Sequence, residues 1–391
     1  MADAERPRVA ILGHTAALGG AELALLRLIG AVGGSRWDIV VVLFADGPLA
    51  ERLRSLGVPV RIELLDPSVA TAERRSLGRL RSLLALPRLA RFALHLARVV
   101  RRLDVDLVHA NSLKTGVIGT IAARLARVPL VWYVHDRISD DYLPGPVATA
   151  VRQLVRFGAT SVLANSGATL ATLRLAPSAR AAVAYPGLDP AGFAVRPAPE
   201  IPPRIGIIGR ISPTKGQDVF LRAAARVHAV RPEARFVVVG AALFAETDYE
   251  RGVRALAAEL GLGDVVTFTG EVPDAGAELA RLAVCVHASP VPEPFGQVIV
   301  EAMAAGVPVV ATRGGGVVEI TGTDETYALT VEPGDPVSLS DAIERVLADP
   351  VAAQGRADRA QRRARELFAI EHTAQVVQSA WENAARDERR R

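Results

Sequence analysis

Four charged side chains carry most of the chemistry that can be read from this sequence. Glu293 and Glu301 lie with seven residues between them in the segment SPVPEPFGQVIVEAMAAGVPVVAT, 289–312, and Arg210 and Lys215 lie in RIGIIGRISPTKGQD, 204–218. In the first segment, a turn with Glu293, Pro294, Phe295 and Gly296 leads into the amphipathic run QVIVEAMAAG, which Gly306 stops before another apolar run. A helix starting near Gly296 offers unpaired backbone N–H groups and a positive dipole end, which suit a diphosphate. A carboxylate at Glu293 competes with phosphate for that spot and is better placed to accept hydrogen bonds from sugar hydroxyls beside it. Glu301, about five residues into the helix, lies roughly 8 Å along its axis, within reach of a ribose. Taken singly, each has a plainer reading: a helix-start acid favoured by the dipole, and a surface acid.

The second segment runs from a strand into a loop holding Arg210 and Lys215. Two cations at the carboxyl end of a strand can neutralise the charge that builds on a diphosphate as a sugar leaves. Of the 46 basic residues, only Lys114 and Lys215 are lysine. A compact ammonium on a flexible stem suits a crowded phosphate better than a planar guanidinium. The competing reading is a solvated basic loop. In the N-terminal half, His135 ends the run PLVWYVHD, 129–136. It is placed either to hydrogen-bond a sugar and move a proton or to pair structurally with Asp136. His109, Asn111 and Ser112 end another run, and Asn165 and Ser166 a third, where they can cap the helices that follow.

These residues need a scaffold that brings strand ends together. Short apolar runs at 8–13, 37–44, 105–110 and 129–136 read as buried parallel strands, with helical stretches such as 21–32 and 115–127 between them. The alternation predicts a doubly wound α/β sheet. It stops at PAPEIPP, 197–203, and restarts with runs at 204–209, 234–240, 265–270, 283–289 and 307–312. Two Rossmann-like domains are therefore expected, at 1–198 and 199–369, with a helix at about 370–391 returning to the first. Ligands are expected beyond the carboxyl ends of the strands, in a deep cleft across which the domains face each other.

A strand running into GR, a loop and KG, followed by two glutamates with seven residues between them, resembles the retaining glycosyltransferases of family 4, which have the GT-B fold. The likeness spans nearly the whole chain. Gly19, Gly20, Ala21 and Glu22 match that family's glycine-rich turn after the first strand, where small residues let donor or acceptor approach the backbone. Gly315, Gly316 and Glu319 resemble a later glycine-rich turn, with Val318 in place of the family's proline. The resemblance implies that Arg210 and Lys215 bind the donor diphosphate, Glu293 the transferred sugar, and Phe295 and Gly296 the same region through backbone amides. Glu301 would bind the ribose, and Val272 would lie near the base. With His135, the residues Glu293, Arg210 and Lys215 form the implied catalytic set. Transfer would retain anomeric configuration, and the leaving phosphate would take the acceptor's proton, with no cofactor and no metal. The implied partners are a nucleoside-diphosphate sugar and an unidentified acceptor: lipid-linked, glycan or small molecule. Two alternatives stay open at this point, a nucleotide-sugar 2-epimerase of the same fold and a non-catalytic GT-B protein.

Bulk properties narrow the field. At 391 residues, half of them hydrophobic and 23% charged, the chain suits a folded two-domain enzyme. The N-terminus lacks a signal-peptide layout, and no apolar stretch approaches the ~18 residues of a membrane span. A cytoplasmic location is expected, with a possible peripheral position at the inner face of the membrane. That second expectation rests on 74–103, which holds nine arginines and no acid. Arg88, Arg91, His95, Arg98 and Arg102 share one helical face there, which is either simply solvated or docks on anionic lipid. Asp104 and Asp106 form an Asp-x-Asp ahead of a buried strand and read as a strand-entry turn. The single cysteine, Cys285, lies in an apolar run and reads as core. Zinc clusters, Walker loops and Gly-x-Gly-x-x-Gly are absent from the sequence, and the net charge of +4 with few aromatics argues against nucleic acid.

Overall fold

The computed structural model describes residues 6–34, 36–66, 86–194, 197–242 and 246–388. The chain divides into two compact units, Met1–Gly187 with Ile370–Arg391, and Leu188–Ala369. The sequence reading placed the division at 198/199, whereas the structure places it ahead of the proline-rich stretch. The reason is backbone pairing: Leu188 N–H donates to Phe368 O, Ala198 N–H to Ala280 O and Glu200 N–H to Arg281 O, which ties this segment to the second unit.

The first unit is built on strands β1 (Arg8–Gly13), β2 (Asp38–Leu43), β3 (Val60–Ile62), β4 (Leu107–Ala110), β5 (Leu130–Val134), β6 (Ser161–Ala164) and β7 (Ala181–Val183). They form a parallel sheet in the order β3-β2-β1-β4-β5-β6-β7. Both faces are covered, so β1 is apolar at consecutive positions instead of alternating. Ala10 and Leu12 pack with Leu96 and Val100 of the Leu86–Leu103 helix. Val9 and Ile11 share the opposite core with Leu25 and Leu28 of the Gly20–Val32 helix and with Val377 and Trp381 of the Ile370–Glu388 helix. Trp381 is fully buried, edge-on to Trp37 at 5.5 Å, and its indole N–H donates to His109 Nδ1 at 3.0 Å. The C-terminal helix thus belongs to the first unit.

The second unit holds β8 (Arg204–Ile208), β9 (Arg235–Val239), β10 (Val266–Gly270), β11 (Val284–His287), β12 (Val309–Thr312) and β13 (Leu329–Val331), parallel in the order β10-β9-β8-β11-β12-β13. Both sheets are doubly wound. The strand order reverses between β1 and β4 in one and between β8 and β11 in the other, and such a switch point opens a crevice at the carboxyl ends of the two strands.

The remaining sequence expectations sort by their contacts. In the Leu86–Leu103 helix, Leu96, Val99 and Val100 are buried while Arg88, Arg91, His95, Arg98, Arg101 and Arg102 are exposed. His95 Nε2 lies 2.7 Å from Glu63 and Arg88 3.8 Å from Asp66, so part of the basic face is already paired. The part of that basic stretch at 74–85 lies outside the described residues. Asp106 accepts the Arg8 N–H at 2.7 Å, and Asp104 sits in the left-handed turn before β4, the strand-entry role read from the sequence. Cys285 is buried, and burial, followed by the nearby Glu301 carboxylate, pushes its thiol up to about 12. It stays protonated and unreactive at neutral pH.

Candidate functional site

The loop after β8 and the turn after β11 meet at the switch point of the second sheet. Between β8 and the Gln217–Val230 helix, the buried Gln217 side chain braces the loop: its Nε2 donates to Arg210 O at 2.9 Å and its Oε1 accepts from Ser212 N–H at 3.3 Å. Lys215 N–H closes a turn on Ser212 O at 2.9 Å. Gly216 has φ 71°, and a Cβ there would stand 2.0 Å from Ala288 O, so the Lys215 backbone is pressed against the end of β11. Ser289 Oγ spans the same junction, 2.6 Å from Thr214 O and 2.8 Å from Val291 O.

Lys215 and Glu293 are thereby brought into contact, Nζ to Oε1 at 2.7 Å. The carboxylate side chain is 13% exposed and the ammonium 30%, so the pair is shielded but open to a ligand. Burial by itself would raise the Glu293 pKa. The Lys215 charge and the hydrogen bond from His287 outweigh it and hold the carboxyl well below the usual range. Glu293 is therefore an anion at any physiological pH, able to accept hydrogen bonds and unable to donate them.

The glycine-rich turn at 314–316 holds the backbone of Glu293. Gly316 N–H donates to Glu293 O at 2.9 Å, and Gly315, at φ 60°, would place a Cβ 2.0 Å from the same oxygen. Its resemblance to a family motif was visible in the sequence, but its service to Glu293 was not. Phe295 is buried, edge-on to Phe368 at 5.7 Å, which anchors the turn. Gly296, at φ 114°, is the N-cap of the Gln297–Ala304 helix and offers no side-chain cap to its first amides. Glu301 is half-buried and accepts from Gln297 Nε2 at 3.1 Å.

Arg210 follows β8 on the same loop, and its Nε lies 3.5 Å from Glu246, at the start of the Thr247–Glu259 helix. Val272 lies just beyond β10, the edge strand, which β9 separates from β8. The structure thus joins Lys215 directly to Glu293, three residues ahead of the Gly296 helix start, while Arg210 and Val272 follow β8 and β10 of the same sheet and Glu301 lies within the Gln297–Ala304 helix. Sequence reasoning missed His287, Thr312, Gln217 and Glu246. His287 ends β11 as visibly as His135 follows β5, and that position was the available signal.

In the first unit, Gly19 caps the Gly20–Val32 helix after β1, with φ −102°, a conformation open to any residue. His135 follows β5, half-buried, with Nε2 3.0 Å from Asn111 Oδ1, and Asn165 Nδ2 donates to its carbonyl at 3.0 Å. Asp136 accepts from the Tyr142 hydroxyl at 2.6 Å. Burial lowers the His135 pKa to about 4 despite the Asp136 charge, and burial, followed by the proximity of His135, lowers that of His109 to about 3. Ser112 and Ser166 cap helices by accepting from Thr115 N–H and Thr169 N–H. Asn111 and Asn165, in contrast, hold His135 in place.

Two doubly wound parallel sheets in one chain, with a cation and a carboxylate joined at the switch point of the second, define a protein of two Rossmann-like domains. Residues 18–191 match the family described as Glycosyltransferase Family 4, and residues 191–367 that described as Glycosyl transferases group 1. The D-inositol 3-phosphate glycosyltransferase of Nocardioides sp. is 31% identical over 312 residues, covering 71% of this chain and 67% of that protein. The enzyme of the same name from Kribbella flavida is 31% identical over 305 residues, covering 71% of each. Anabaena HepE, solved in complex with UDP-glucose, superposes with a TM-score of 0.81 at 27% identity, covering 96% of this chain and 99% of that one. The chain belongs to glycosyltransferase family 4 and is a glycosyltransferase of the GT-B fold. The epimerase and non-catalytic alternatives are set aside by that membership.

Proposed function

We propose that this enzyme takes a nucleoside-diphosphate sugar as donor, bound by the second unit, and transfers the sugar to a hydroxyl acceptor with retention of configuration. The carrying observation is the Lys215–Glu293 contact at the β8/β11 switch point, one short turn ahead of a helix start. In this reading the diphosphate draws Lys215, Arg210 and the amides after Gly296, which neutralise the charge developing as the bond to the sugar breaks. Glu293, permanently anionic, accepts from sugar hydroxyls, and Glu301 reaches the ribose. With two side-chain cations and a helix dipole supplying positive charge, the reaction runs without a metal.

The UDP-glucose complex of Anabaena HepE makes uracil the first base to test, and the Nocardioides and Kribbella names put a phosphorylated cyclitol on the acceptor panel. His135, held neutral, is the first-unit group suited to hydrogen-bond substrate. A ligand that binds only the folded state at 100 times its Kd adds about 2.7 kcal/mol to stability. A thermal-shift screen of UDP, GDP, ADP and their sugars, run with EDTA, is expected to give a clear shift with one nucleotide. No shift with any of them, or one that needs added metal, would overturn the proposal.

A peripheral contact with anionic lipid through the Leu86–Leu103 helix is part of the proposal, supported by its exposed arginines and by Leu94, 47% exposed among them. Among the described residues, no helix is long and apolar enough to cross a membrane.

A further inference from the structure

A histidine closes β11 in the run VCVH, a strand otherwise made of small apolar residues. Its side chain is 4% exposed, and both ring nitrogens are engaged on opposite sides. Nδ1 lies 3.2 Å from Thr312 Oγ1 at the end of the adjacent strand β12, and Nε2 lies 3.4 Å from Glu293 Oε2. A carboxylate oxygen only accepts, so Nε2 must carry the hydrogen. Thr312 Oγ1, which donates its one hydrogen to Ser289 O at 2.8 Å, turns its lone pairs toward Nδ1 and braces the ring from that side. Thr312 thus fixes the orientation of the His287 ring that faces Nε2 toward Glu293.

The two oxygens of Glu293 are held differently: Oε1 by Lys215 and Oε2 by His287. Lys215 sits on a flexible stem and, under the function proposed above, is drawn toward the donor diphosphate. When that happens its hold on Oε1 weakens, and the hold on Oε2 is the one that persists. The imidazole does not follow the ligand, because it is buried on a strand and pinned from behind. The 3.4 Å separation is long for a hydrogen bond, and such contacts tighten when the ligand is in place.

We propose that His287 is a positioning residue for the transferred sugar, fixing the direction in which Glu293 presents its free lone pairs, with Thr312 setting the ring. The proposal rests on the reading of Glu293 as a sugar ligand. It assigns His287 no direct contact with substrate. Its effect therefore belongs to turnover of the sugar nucleotide and not to capture of the nucleotide.

The experiment uses the full chain and the nucleoside diphosphate and sugar nucleotide that give the largest shift in the screen. Nucleotide Kd is measured by calorimetry, and kcat and KM by release of the sugar to water. His287→Leu is expected to lower kcat by about 10- to 100-fold, the cost of misplacing a positioned group by a fraction of a bond length, with the nucleotide Kd changed less than about twofold. His287→Gln carries an amide N–H near the Nε2 position and is expected to restore most of the rate. Equal defects in the Leu and Gln variants, or an unchanged kcat in the Leu variant, would overturn the proposal. Should the Leu variant not fold, Thr312→Val decides: it keeps shape, removes the hydroxyl and is expected to lower kcat several-fold at constant nucleotide Kd, and an unchanged kcat there would refute the role. Glu293→Gln separates the two levels. If it leaves kcat intact, the sugar role of Glu293 fails and this proposal with it. If it lowers kcat while His287→Leu does not, only the role of His287 fails.

Discussion

Replacing Lys215 by alanine tests the centre of the site in two independent ways. The substitution strands the Glu293 carboxylate, 13% exposed, without the ammonium that lies 2.7 Å away. Breaking a fully buried ion pair costs about 3–5 kcal/mol, whereas an exposed pair is worth about 0–1 kcal/mol. With Lys215 30% exposed, the expected loss falls between, at about 2–3 kcal/mol. In Lys215→Ala/Glu293→Gln the stranded charge is gone, so the double variant should be more stable than Lys215→Ala by about 1–2 kcal/mol. Nucleotide affinity should behave differently. A lost charge-assisted hydrogen bond costs about 1.5–3 kcal/mol, roughly 10- to 150-fold in Kd, and removing the carboxylate does not restore the cation. Stability should therefore recover in the double variant while affinity does not. Trp37, Trp132 and Trp381 all lie in the first unit, so tryptophan fluorescence does not report on this pair. Calorimetry or backbone circular dichroism is needed, with each unit's transition treated separately. Additive single-variant effects on stability would show that the pair does not form, and an unchanged nucleotide Kd in Lys215→Ala would remove it from the diphosphate site.

Three further outcomes follow from the geometry. His109 and His135 are held neutral at pKa values of about 3 and about 4, so between pH 6.5 and those values the unfolded chain binds more protons than the folded one. Stability should be full above pH 6.5 and fall on acidification, by up to about 1.4 kcal/mol per pH unit for each ring, and a urea midpoint unchanged between pH 7 and 5 would contradict the assignment. Gly315→Ala puts a Cβ 2.0 Å from Glu293 O and should cost more than about 3 kcal/mol. Gly334→Ala, at a similar φ with open space around it, should cost about 1–2 kcal/mol; equal melting points for the two would show that the 314–316 turn is not pressed on Glu293. Arg91→Glu/Arg98→Glu reverses two exposed charges, each worth about 1 kcal/mol near an anionic surface, and should cut sedimentation with phosphatidylserine vesicles at least tenfold. Wild-type protein that shows no salt-sensitive vesicle binding would end the lipid proposal.

Much of this architecture was legible because buried parallel strands leave near-continuous apolar runs. RIGIIG and ARFVVVG announce β8 and β9 to within one residue at either end, and the QDVFLRAAARVHAV helix matches Gln217–Val230. Strands β3, β7 and β13 escaped because each is only three residues long, too short to show a pattern. The site was legible at the level of residue type, since a carboxylate before a helix start and two cations after a strand are local features. Their contacts were not, because they join distant stretches of chain: Lys215 and Glu293 are separated by 78 positions, and Thr312 and His287 by 25. What brings them together is a property of winding. After β8 the chain adds β9 and β10 on one side, then crosses back to lay β11 on the other, so the loops leaving β8 and β11 diverge and open a crevice between them. A glutamate moved to the turn after β9 would have the same local surroundings in the sequence and no Lys215 beside it. The chemistry of this chain is therefore set by which strand each charged loop follows.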